Sequence, residues 1–453
     1  MLHDICSCEV SLTDERALSD WNAVVLGILS HGQNAATHLG RLLDRAPDFA
    51  IAHALKGLAS LMLGRRELVA VAADANRTAR AKLQLGGATE RERLWCAALD
   101  AWLGGHPSKA IAHMEASLRL NPADTISMKL SHGIRFMLGD NHGMRASVEA
   151  VMPAHGADHP LRGYALGCLA FGLEETGEYA EAERLGLLGL ELAGDDAWGL
   201  HAVTHVYDMT HQVGRGITLI DENTSAWDHC NNFRYHVWWH KALLHLEKGD
   251  VETVLTLYDT QVRSEKTDDY RDISNATSLL MRLELDGVDV GDRWEELATL
   301  SEMRSKDGLL VFADLHYMLA LAGDHRADAL TRMTARIARD AQRSDEGAKV
   351  MDRPGVSAAK GLSAFGAGQY DLAFKHLQNA QPHFQSMGGS HAQRDVFERL
   401  TIEAGLRAGQ LDQTDALLIA RTSIRDGNED SFAQSRRTLI ADTRALLTSL
   451  AAE

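Results

Sequence analysis

Residues 166–192 read LGCLAFGLEETGEYAEAERLGLLGLEL, and this stretch decides the fold. Two apolar runs with helical spacing flank Glu174-Glu175-Thr176-Gly177. Glycine enters a tight turn without steric cost. Tyr179 follows the turn, and Ala182 is small enough to let two antiparallel helices approach. A single hairpin of this kind leaves apolar surface uncovered, so it has to stack on copies of itself.

The copies are present. A short turn marked by Gly recurs at Gly32, Gly64, Gly104, Gly139, Gly177, Gly214, Gly249, Gly287, Gly323, Gly368 and Gly409. The gaps run from 32 to 45 residues, around the period of tetratricopeptide-type repeats, about 34 residues. Weaker copies keep part of the pattern: Ala110, Ala116 and Pro122 in one, Tyr370 and Ala373 in another. Strand-like alternation is absent. The expected fold is all-α: an α-α superhelix of about eleven hairpins, with the first helix of each lining a concave face. Such an array is long enough to enclose a central cavity. The long gap after Gly323 contains Asp352-Arg353-Pro354-Gly355. It divides the chain into a main array (1–340), a connection (341–360) and C-terminal repeats (361–453). The connection either separates the two or folds over the concave face.

Composition narrows the function. The chain has 453 residues, 45% hydrophobic but only 6% aromatic, with seven prolines, which suits close-packed helices. A net charge of -17 speaks against nucleic acid and anionic lipid as partners, since both need a basic footprint. Five cysteines in a chain this long suggest a reducing compartment. Cys6-x-Cys8 lacks a second pair to complete four metal ligands. The start, MLHDICSCEVSL, has no signal-peptide pattern, and no apolar run reaches membrane-spanning length. The expected location is cytoplasmic.

The chemistry concentrates between His201 and His245, which hold seven histidines. His201/His205 and His236/His240 are i, i+4 pairs, so each pair shares a helix face. Counted back from Gly214 and Gly249, the two pairs occupy the same positions on adjacent first helices. The same register, nine residues before each turn, adds Cys168, Ser278 and Asp314. Asp208 and His316 lie close by on the same helices, and Trp227 and Trp239 offer aromatic walls. Three readings are open. The histidines are solvated or hydrogen-bonded on a polar surface; or His205, His240 and Asp314 bind a divalent metal such as zinc; or the imidazoles act as acid–base groups in a small-molecule pocket. In the catalytic readings His201, His205, His236, His240 and Asp314 carry the chemistry. Asp208, Trp227, Trp239, Ser278, His316 and Arg394 then hold the substrate. Arg394 sits in the first turn of the helix that Ser390 is placed to cap. There it opposes the helix dipole, so an anionic partner is expected: a substrate carboxylate or phosphate, or a structural acid.

Several segments together resemble the tetratricopeptide-repeat protein 38 family: HAVTHVYDM, YHVWWHKALLHLEKGD with LYD after it, DGVDVGDRW and GGSHAQRDVF. The resemblance covers roughly Trp21 to Gly409. It implies an α-α superhelix and cytoplasmic members, and no particular reaction. The family pattern matches His201, His205, Trp227, His236, Trp239, His240, Asp259, Asp314, His316, Gln393, Arg394 and Asp395. Asp208 stands where Glu is usual, Val237 where Asn is usual, and His391 where Asn also occurs.

The functional expectation is a concave His/Asp/Trp pocket that binds or processes a small molecule, with a metal-assisted hydrolase as the catalytic version. The alternative is a non-catalytic scaffold for a protein or peptide partner. A homodimer is compatible with either. No Ser-His-Asp signature, phosphate-binding Gly loop or HExxH motif specifies a reaction class.

Overall fold

A computed structural model describes residues 2–452 of the chain. Twenty-four α-helices follow one another, and twenty-two of them form eleven consecutive hairpins. The two outside this scheme are the short Glu346–Val350 helix and the C-terminal Ser431–Ala452 helix. Among the described residues, strand is confined to Leu2–His3 paired with Glu9–Val10. That small hairpin buries Cys6 and Cys8, and burial pushes both thiols well up. They are inert packing groups.

Local chemistry sets the helix boundaries. Asp124, Asp140 and Asp250 accept backbone N–H bonds at the starts of their helices, satisfying donors the helix leaves free. Ser390 and Gln393 form a reciprocal capping box at the start of His391–Arg407. The residue in the left-handed conformation at a hairpin turn is Gly at 64, 139, 177, 249, 287, 368 and 409, but His at 31, 211 and 325. Gly214 lies inside the Val213–Glu222 helix, and Gly323 ends the Val311–Gly323 helix. The turns read from those two glycines are therefore displaced by three and two residues.

The superhelix is wound tightly enough for its turns to touch. Asn231 N–H donates to the His31 carbonyl at 2.8 Å. Arg65 pairs with Asp268 at 2.7 Å, Gln385 donates to the Gly139 carbonyl at 3.0 Å, and the Tyr179 hydroxyl donates to the Ile424 carbonyl at 2.6 Å. These contacts join residues 200 to 246 positions apart, about six hairpins along the chain. The first helices therefore face a packed interior. The 341–360 connection docks on the third hairpin turn, where Ser108 N–H donates to Glu346 at 3.0 Å.

Two glycines set the local geometry near the histidines. A Cβ on Gly167 would overlap Asp196 Oδ2 and lie 3.0 Å from the Cα of Gly199, the latter a tighter approach than nearly all side-chain carbons make. Their absence lets Arg162–Glu174 and Ala197–Met209 pack at short range. This approach brings Glu174, the last residue of one helix, onto the histidine face of the next.

Candidate metal centre

His201 and His205 project from Ala197–Met209, His236 and His240 from Phe233–Glu247. All four are buried, at 1, 1, 9 and 2% exposure. Their Nε2 atoms converge: His205 to His201 at 2.9 Å, His236 to His201 at 3.0 Å, His240 to His236 at 3.2 Å. One ring nitrogen from each lies within 4.8 Å of the other three. A tetrahedral ion with metal–nitrogen bonds of about 2.0–2.1 Å separates its ligand nitrogens by about 3.3 Å. Three of the six nitrogen–nitrogen separations are within a few tenths of an ångström of that value, and the cluster as a whole stays within 4.8 Å.

The outer nitrogens are oriented as well. His236 Nδ1 faces Asn275 Oδ1 at 3.0 Å, and His205 Nδ1 faces Glu174 Oε2 at 3.5 Å. An imidazole that keeps its proton on Nδ1 for such an acceptor presents its Nε2 lone pair to the centre. Glu174 is fully buried, and neither of its oxygens has a hydrogen-bond partner among the described residues. Glu174 also lies within 4.8 Å of Glu175 and His391; a carboxylate buried without a hydrogen bond is costly, and a cation across the His205 ring would offset it.

Burial pulls His201 and His240 well below the ordinary imidazole range, and each is pushed further by its neighbouring histidines. Burial also pulls His236 down, to about 3. His205 is the exception: burial lowers it, but the Glu174 carboxylate outweighs that and holds it above its ordinary value. Three imidazoles are thus free bases near neutrality, and Glu174 favours the charged form of the fourth, whose extra proton a metal ion would displace.

Aromatic rings wall the cluster. Phe171 stacks on His201 with centroids 5.4 Å apart, Trp198 lies 5.0 Å from the same ring, and Trp239 stacks on His236 at 5.2 Å. His31, at the first hairpin turn, is sandwiched between Trp198 and Phe233 at 5.6 and 4.5 Å. A dry, low-dielectric shell of this kind strengthens metal–ligand electrostatics.

The other residues singled out in the sequence lie elsewhere. Asp314 is outside the metal-binding group. Its carboxylate accepts two bonds from Arg336, at 2.6 and 2.8 Å, on the second helix of its own hairpin. His316 Nδ1 donates to the Phe312 carbonyl at 2.7 Å, and the ring packs on Phe397. The Ser278 hydroxyl donates to the Asn275 carbonyl at 3.0 Å. Trp227 donates to the Ile220 carbonyl and meets Trp238 edge-on. Arg394 bonds the Gly389 carbonyl and Glu175, the latter at 3.2 Å, so its anionic partner is structural. Asp208 pairs with Arg425 at 3.1 Å. Sequence reasoning missed Glu174 and Asn275. The one signal for Glu174 is an acidic pair closing an otherwise apolar helix; Asn275 is the neighbour of Ser274 on the register face.

A cavity of about 240 Å³ near these helices is lined by Asp208, Arg282, Arg394 and Glu398 among others, and by none of the four histidines. The expected pocket and the histidine cluster are thus separate features.

No family model matches the chain. Among solved structures it is similar to a human IFIT1 dimer with PPP-AAAA, at 13% identity and a TM-score of 0.40, covering 87% of this chain and 95% of that one. Yeast Tom70 gives 11% identity and a TM-score of 0.38 over 94% and 88%. Likeness at this level concerns helical-repeat architecture and nothing finer. Among the described residues, no helix is long and apolar enough to cross a membrane.

Proposed function

We propose that this chain is a non-catalytic scaffold of the tetratricopeptide type, built around one buried transition-metal ion held by His201, His205, His236 and His240. The observation that carries the reading is the convergence of four buried Nε2 atoms at 2.9–3.2 Å contacts. Imidazole suits zinc, copper, iron and nickel, and a four-nitrogen tetrahedral arrangement favours zinc. Four protein ligands close the coordination sphere, whereas catalytic zinc keeps an open position. The cavity of about 240 Å³ is lined by none of the four histidines, which favours the scaffold reading over the hydrolase one. Asp314 is replaced by Glu174 as the relevant carboxylate, acting through His205.

The scaffold side of the reading is supported by the C-terminal helix, whose Leu439, Leu446, Leu447 and Leu450 are 52–61% exposed. Exposed apolar stripes of this kind mark partner surfaces, and the charge of -17 favours a protein over a nucleic acid. The resemblance to the tetratricopeptide-repeat protein 38 family is retained on its ordered motifs, four of whose residues are the proposed ligands. Five buried free thiols are compatible with the cytoplasmic location.

The test is metal analysis of untagged protein, followed by cobalt substitution and X-ray absorption. Stoichiometric metal with four nitrogen neighbours, lost in His201→Ala and His240→Ala, is the expected result. Protein that remains folded and metal-free after supplementation with zinc, iron and copper refutes it.

A further inference from the structure

The 240 Å³ cavity lies among helices of the sixth, seventh and eighth hairpins and the C-terminal repeats. Five guanidinium groups line it: Arg282, Arg394, Arg399, Arg421 and Arg425. Four are matched by carboxylates within hydrogen-bonding distance. Arg394 has Glu175 at 3.2 Å, Arg399 has Asp395 at 2.7 Å, Arg421 has Asp430 at 2.5 Å, and Arg425 has Asp208 at 3.1 Å.

Arg282 is the odd one. It is 2% exposed. It donates to two neutral carbonyls, Ser278 at 3.0 Å and Ala392 at 2.6 Å. Its nearest carboxylate, Asp395, stands 3.8 Å away and is already shared by Arg399 and Arg421. Burial lowers Arg282 to about 9, and Arg399 adds repulsion. A buried cation without its own anion is costly. Nearby, the Arg425 Nε is buried with no partner. Glu398 also lines the cavity, where burial and the neighbouring Asp395 push its carboxyl above the ordinary value.

Met209, Leu243, Leu246, Phe384 and Ile424 form an apolar side, while Glu247, Gln381, Gln385, His391 and Ser431 add polar groups. The cavity thus offers a buried guanidinium without a carboxylate of its own beside an apolar wall. At about 30 Å³ per water-sized volume it holds roughly eight such volumes, enough for a ligand of about ten heavy atoms. We propose that this cavity is a binding site for a small organic monocarboxylate, whose carboxylate pairs with Arg282 while its apolar body fills the space between Leu243, Leu246 and Phe384. A phosphate dianion overshoots the single missing charge and leaves the apolar walls uncovered. The site shares no residue with the metal centre, so the two proposals fail independently.

The test uses the full chain with metal removed by chelator, titrated calorimetrically with hexanoate, phenylacetate, hexanamide and inorganic phosphate. Saturable one-to-one binding of hexanoate or phenylacetate is expected, with hexanamide and phosphate at least ten-fold weaker. Arg282→Met keeps the volume and removes the charge, and it should weaken carboxylate binding at least ten-fold. Should Arg282→Met fail to fold, Leu243→Trp fills the cavity without touching the charges and should abolish binding. The proposal is overturned if neither carboxylate binds, if phosphate or hexanamide binds as well as hexanoate, or if Leu243→Trp leaves binding intact.

Discussion

Asp196 precedes the helix that carries His201 and His205, and replacing it by Asn has a calculable effect. The carboxyl is 1% exposed, its Oδ2 has no hydrogen-bond partner among the described residues, and burial pushes it up to about 7 despite Lys129. The unfolded chain loses the same proton near 3.9. Between these values the folded state holds a proton that the unfolded state has released, so stability falls as pH rises through this window. Linkage at 1.36 kcal/mol per pKa unit puts the cost at about 1.5 kcal/mol at pH 5 and about 4 kcal/mol at pH 8. Asn is neutral at both, nearly isosteric, and an acceptable residue before a helix. Asp196→Asn should therefore gain about 2.5 kcal/mol relative to wild type between pH 5 and pH 8. The assay is urea unfolding followed by far-ultraviolet circular dichroism at half-unit pH steps, comparing the two proteins at each pH so that other titrations cancel. A free-energy difference that stays flat across this range refutes the reasoning.

Glu174→Gln should weaken zinc binding by about 10–100-fold without abolishing it, the usual effect of losing a carboxylate behind a ligand histidine; chelator competition reads this directly, and unchanged affinity removes Glu174 from the site. Asp314→Ala leaves Arg336 buried with only Asp340 at 3.6 Å, so it should cost about 3 kcal/mol in urea unfolding while metal stoichiometry stays at the wild-type value. Gly167→Ala forces a methyl against the Gly199 backbone. It should lower stability by about 1–3 kcal/mol and weaken metal binding, because it moves Glu174 away from His205; an unchanged affinity would separate helix spacing from the site.

Legibility in the sequence followed the helix period. The turn expected at Gly214 is made by His211, three residues earlier. Three residues are 300° of helix, close to a full turn, so the histidine face survived the error. The turn expected at Gly323 is made by His325, two residues later. Two residues are 200°, which reverses the face. That slip put Asp314 on the concave side, whereas it points to Arg336 on its partner helix and His316 takes the inner face. The Arg394 argument from the helix dipole did find an anion, but the anion is Glu175. Glu174 and Asn275 were not visible because their roles depend on helices 31 and 39 residues away in sequence meeting His205 and His236. Contacts some 200 residues long have no local signature, and they are what turn a concave face into an interior.

That closure bears directly on the metal reading. His31 reaches the cluster's aromatic wall only because the first hairpin turn pairs with the loop before Phe233, through the Gly32–Cys230 bridge and the Asn231–His31 hydrogen bond. The same loop leads into the helix bearing His236 and His240. An ion bridging that helix to the one bearing His201 and His205 therefore fixes two adjacent hairpins at the point where one superhelical turn rests on the next. Metal that binds only the closed array stabilises closure by mass action, by about 2.7 kcal/mol at a hundredfold excess over its dissociation constant. By the same linkage, any partner that favours the closed array must tighten the ion's binding by the same factor. A buried four-histidine centre in a scaffold need not perform chemistry to matter. Its position lets it set how tightly the superhelix is wound.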